Sequence, residues 1–112
     1  MPIATTNLLI DQGATFIVEW TWEQDGEVVD LTGYTARGMI RKTPLSALLL
    51  DLEPYLDIDG PNGKVTLNIP DSVTDDLTWV NFALFDIELE RSGIVYRFLE
   101  GKVALNKEVT HG

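Results

Sequence analysis

The side chains able to do chemistry are few, and their spacing does not favour it. Asp86, Glu88 and Glu90 alternate along one stretch, so on a strand they would share a face at roughly 6.5–7 Å per step. Paired carboxylates do acid–base work when an apolar setting separates their pKa values, and nothing in the surrounding pattern supplies one. The run reads as a solvated face. Asp57-Ile-Asp59-Gly60 opens like a calcium loop. Such a loop needs a bidentate Glu at its twelfth position; here Asn68 stands there and Lys64 falls inside, which favours a hairpin turn. His111 is the sole histidine, and Ser46, Ser72 and Ser92 all fall in turns or irregular segments without a Gly-x-Ser-x-Gly setting. There is no cysteine, no phosphate-binding glycine loop and no Gly-x-Gly-x-x-Gly. The expectation is a chain without catalytic, cofactor-binding or metal-binding residues.

Composition narrows the partners. The chain has 112 residues, the size of one domain, with 18 acidic against 8 basic side chains and a formal net charge of −10. Nucleic-acid binding needs clustered Lys and Arg, so that class is set aside. The acidic groups are dispersed and read as a solubilising surface. No basic n-region with a long apolar core opens the chain, and runs such as Leu48 to Leu50 are too short to cross a bilayer.

The elements that would position any site are strands. Phe16, Val18, Trp20 and Trp22 share one parity between Ala14 and Glu23, opposite Ile17, Glu19, Thr21 and Glu23. The first set should face the core, where each Trp buries on the order of 150–250 Å². Asp25-Gly26 supplies the positive φ of a hairpin turn. A short return, Glu27 to Asp30, leads to a second turn at Leu31-Thr32-Gly33, where Asp30 or Thr32 should bond local backbone. Tyr34 to Arg41 is the next strand. Its small residues Ala36 and Gly38 would make room for the Trp pair, and Arg37 and Arg41 would pair with Glu19 or Glu23 across strands. Residues 43–53 fit a helical leucine stripe or a strand equally well. Lys64 to Ile69 alternates with Val65, Leu67 and Ile69 inward, and Pro70 ends it. Asp71 to Leu77 reads as one helical turn whose Val73 and Leu77 cap an open end of the core. Trp79 to Glu90 and Ile94 to Asn106 form a long hairpin about Arg91-Ser92-Gly93, and a parity switch near Glu100-Gly101 suggests a bulge at Gly101. The sum is an all-β, antiparallel, immunoglobulin-like sandwich of seven or eight strands with one helical turn, in a single domain over residues 1–112. Short terminal arms, Met1 to Thr6 and Lys107 to Gly112, flank it.

Several of these stretches carry a likeness. Ile10-Asp-Gln-Gly-Ala-Thr-Phe16, Trp20, Asp25-Gly26, Asp30-Leu-Thr-Gly-Tyr-Thr-Ala-Arg37, Gly63-Lys-Val-Thr-Leu67, Phe85-Asp-Ile-Glu-Leu89, Val95-Tyr-Arg97, Glu100-Gly101 and Glu108-Val-Thr110 resemble a group of short tailed-bacteriophage proteins. The fold implied is similar to the N-terminal β-sandwich of phage upper-baseplate proteins, without a helical or fibre extension after it. The resemblance implies a non-enzymatic virion protein acting through contacts with other virion proteins and in a symmetric homo-oligomer. Its place would be the tail, baseplate or fibre attachment, or else a decoration on the capsid. The arm residues Met1, Pro2, Ile3, Ala4, Thr5, Thr6, Lys107, Glu108, Val109, Thr110 and His111 are the expected partner contacts. A different class, a carbohydrate-binding module for surface glycans, would require Trp79, Tyr55 or Tyr96 exposed on a flat face.

Overall fold

Alternation in the sequence becomes two packed sheets in a computed structural model that describes residues 4–107. Strands β1 (Ala4–Thr5), β2 (Leu8–Asp11), β6 (Thr35–Arg41), β7 (Leu48–Asp51), β10 (Phe82–Arg91) and β11 (Ile94–Asn106) form a six-stranded sheet in the order β1-β11-β10-β6-β7, with β2 also on β11. The second sheet is β3 (Phe16–Thr21), β9 (Lys64–Ile69) and β8 (Leu56–Asp59), in the order β3-β9-β8. A small hairpin, β4 (Glu23–Gln24) and β5 (Glu27–Val28), stands apart from both. Eight strands have four residues or more, which matches the expected all-β sandwich. Pairing is antiparallel except where β1 and β2 run parallel to β11.

The core draws on both sheets. Val65, Leu67 and Ile69 of β9 and Ala83, Phe85, Ile87 and Leu89 of β10 are buried in one cluster with Ile10, Leu31, Ile40 and Leu52. Trp22 is buried, whereas Phe16, Val18 and Trp20 are only half-buried, because β3 is an edge strand. Gly38 does not make room for the Trp pair as expected: it lies under Leu52 and Ile87. Trp22 instead meets Tyr34, Tyr96 and Phe98, with ring centroids 6.2–6.5 Å apart. Offset and edge contacts of this kind add about 0.5–1.5 kcal/mol per pair beyond burial.

The turns follow their chemistry. Asp25 and Gly26 have φ of 52° and 80°, and Ser92 and Gly93 have 53° and 80°, the two-residue conformation that matches strand twist. Asp30 Oδ1 accepts the Thr32 backbone N–H and hydroxyl at 2.9 and 2.6 Å, and these bonds hold its carboxyl below the usual range. The ambiguous stretch after Pro44 becomes β7 and then a 3₁₀ turn, Glu53–Tyr55. Helix α1 (Asp71–Thr74) is the expected single turn, and Leu77 is buried beneath it. Its Thr74 is the one buried polar side chain among the described residues: the hydroxyl donates to Ala14 O at 2.8 Å and accepts from Gly13 N–H at 3.1 Å, tying α1 to the start of β3.

Three further expectations need correction. The bulge is not at Gly101: Ile87 pairs with Leu99 and Glu88 with Arg97, so Phe98 is the extra residue, and Phe98 and Leu99 consequently both face inward. Gly101 is small for another reason, since a Cβ there would collide with Thr6 O and lie 2.8 Å from the Thr6 carbonyl carbon. Arg37 bonds Glu88 and Glu90 at 3.0 and 3.4 Å, not Glu19 or Glu23, because β6 neighbours β10 rather than β3; Glu19 pairs with Lys64. The long strand begins at Phe82, and Trp79 lies before it, buried, with its indole N–H donating to Val103 O at 3.2 Å.

Candidate interaction surface

The outer face of the six-stranded sheet gathers seven charged side chains on three neighbouring strands. Strand register sets its side chains in three rows: Arg37, Glu88 and Arg97; Met39, Asp86 and Glu100; and Arg41, Leu84 and Lys102. The lower two rows line a cavity of about 610 Å³, open to solvent, whose rim includes Thr5, Asn7 and Pro44. Leu84 and Met39 give it an apolar floor between cations and carboxylates. Burial pushes the Asp86 carboxyl above its usual range; Glu88 and Glu100 add repulsion, while Arg97 and Arg41 oppose the shift. At one end, Lys42 donates to Val80 O at 2.7 Å and to Phe82 O. Lys42 and Lys102 also stand over the Phe82 ring at 5.4 and 4.5 Å.

This arrangement suits a polar, partly wetted protein contact. Exposed pairs such as Arg37 with Glu88 contribute at most about 1 kcal/mol each to stability. The Asp57/Asp59 pair expected in a turn sits on β8 and its end, where Asp59 accepts from Asn62 Nδ2 at 2.8 Å. Among the described residues no group of three or more His, Cys, Asp or Glu is placed to hold a metal ion.

The expected contact residues divide. Ala4 and Thr5 pair with Leu99 and Glu100 of the same chain, and Thr6 N–H donates to Glu100 O at 3.0 Å. Thr5 thereby reaches the cavity rim. Lys107 Nζ donates to Thr78 O at 2.7 Å. Met1, Pro2, Ile3, Glu108, Val109, Thr110 and His111 lie outside the described residues. Sequence reasoning did not bring Met39, Leu84, Arg97, Glu100 and Lys102 together on one face. Their convergence depends on the β6-β10-β11 order and on the Phe98 bulge, which resets the parity of β11.

The fold is shared with a phage protein domain. The N-terminal domain of ORF48 of phage TP901-1 superposes with a TM-score of 0.54 at 10% identity, over 96% of this chain and 100% of that one. No protein-family model and no curated protein matches the chain.

Proposed function

We propose that this chain is a non-enzymatic structural protein of a tailed-phage virion, acting by protein–protein contact at the tail, baseplate or fibre attachment. The observation that supports the reading best is the nearly end-to-end fold match to the N-terminal domain of a phage protein. The motif resemblance through Asp30-Leu-Thr-Gly33 and Phe85-Asp-Ile-Glu-Leu89 points the same way. The surface agrees with it: charges in cross-strand rows and a shallow cavity suit docking. The partners are other virion proteins and further copies of the chain. The glycan-binding alternative loses one of its three expected platforms, because Trp79 is buried.

Mass spectrometry of purified particles, separated into tails and heads, tests the proposal. Peptides of the chain should purify with tails at a fixed stoichiometry. Recovery in the head fraction would make it a capsid decoration protein, and recovery only from the soluble lysate would overturn the virion reading.

A further inference from the structure

The edges of the two sheets are not equally protected. An open edge exposes unpaired backbone groups and is normally covered, charged or interrupted. One edge of the large sheet is made of two short strands, β1 and β2, set one after the other along β11, and is interrupted between them. In the small sheet β8 carries Asp57 and Asp59, and β3 carries Glu19 in an ion pair with Lys64. The other edge of the large sheet is β7, which reads Leu-Leu-Leu-Asp and has β6 as its sole neighbour among the described residues.

Three leucines are exposed along that edge: Leu45 at 98%, Leu48 at 44% and Leu49 at 41%. Leu49 is the extra residue of a bulge, since Ile40 pairs with Leu50 and Arg41 with Leu48; two successive leucines therefore stay open to solvent. Leu45 sits in a turn that is already fixed. Ser46 Oγ donates to Thr43 O at 2.9 Å and accepts from Thr43 N–H at 2.8 Å, while Arg41 holds Ser46 O at 2.8 Å. A leucine presented on a rigid turn loses little entropy on docking.

Charge identifies the occupant. Arg41 lies beside the first residue of β7, whereas Asp51 ends the strand and Glu53 follows it, both exposed. Parallel pairing with another such edge would set like charges together. Antiparallel pairing brings Asp51 and Glu53 of one edge to the end of the other at which Arg41, on the neighbouring strand β6, holds Ser46 O, at both ends at once. We infer that β7 pairs antiparallel with β7 of a second copy about a two-fold axis, extending the large sheet across two molecules, with Leu45, Leu48 and Leu49 sealing the seam. Self-complementarity of this kind is what a two-fold contact requires. The contact is small, so association belongs to the weak class. The inference rests on the edge itself and not on the virion reading.

The purified chain tests it by sedimentation velocity from roughly 10 to 500 µM, a range suited to weak interfaces. The mass should move from monomer towards dimer, and Leu48→Lys with Leu49→Lys should keep it monomeric with an unchanged melting temperature. Leu45→Ser, far from the core, is the second variant and should weaken the dimer at least 3-fold. Because the chain has no cysteine, Leu49→Cys reports geometry directly: under mild oxidation it should form an interchain disulfide at least 10-fold faster than Ile17→Cys on the exposed edge of the small sheet. A monomer throughout the range, a dimer that survives the lysines, a stoichiometry above two, or equal disulfide rates would each overturn the inference.

Discussion

Replacing Gly101 by Ala isolates a contact that joins distant parts of the chain. The added Cβ would collide with Thr6 O, with Phe85 Cε1 also at 3.3 Å. Backbone cannot rotate away as a side-chain tip can, so one segment must move. Strand β11 is pinned between β10 and β2, whereas Ala4 and Thr5 are exposed. The arm is therefore what yields. Its release loses the β1 pairing and the Thr6-to-Glu100 bond. At about 1 kcal/mol net per backbone hydrogen bond, the penalty is about 2–3 kcal/mol, a fall of roughly 10 °C in Tm for a domain of this size. It cannot be much larger, because the arm can detach. Urea denaturation measures the loss, and hydrogen exchange should show the Thr6 amide unprotected. In a chain lacking residues 1–6 the same substitution should cost almost nothing, a coupling that a double-mutant cycle reads directly. An equal penalty with and without the arm would refute the reasoning and place the glycine's role within β11 itself.

Thr74→Val removes the hydroxyl that serves Ala14 O and Gly13 N–H; leaving such groups unsatisfied should cost about 1–3 kcal/mol in urea denaturation. Trp22→Ala empties the site shared by Tyr34, Tyr96 and Phe98 and should cost about 3–5 kcal/mol, with loss of the near-ultraviolet dichroism of the cluster. Asp86 has a folded-state pKa above its unfolded value, so its contribution to stability is fully present below the unfolded pKa and is lost as pH rises through the folded one. Asp86→Asn should therefore be at least as stable as the parent at pH 7, with any advantage gone below the carboxylate range. Thermal melts across that interval check it, and a variant less stable by a constant amount at every pH would contradict it.

Legibility followed the range of the cause. Lys64 to Ile69 was readable to the residue because Val65, Leu67 and Ile69 alternate between a turn glycine and Pro70, all local signals. The turns at Asp25-Gly26 and Ser92-Gly93 were readable for the same reason. Leu48-Leu49-Leu50 has no period, so strand and helix could not be separated there. Arg37 was given acids from the wrong sheet, since neither periodicity nor propensity encodes which strand lies beside which. Gly101 drew attention correctly but for the wrong cause: the parity change belongs to Phe98, three residues earlier, and the glycine answers to a backbone almost a hundred positions away. Buried Thr74 had no signal in the sequence, because a threonine in a helical turn looks like any exposed one. The charged outer face was legible only on β10, where Asp86 and Glu88 alternate; the remaining charges on it come from β6 and β11.

Strand β11 also has a bearing on how the molecule is made. It pairs with β1, β2 and β10, and all three leave the ribosome before it. Until residues 94–106 emerge, the N-terminal segment has nothing to align with and β10 keeps one side unsatisfied. Assembly of the large sheet must then wait for a late, non-local closure, the slow regime of folding.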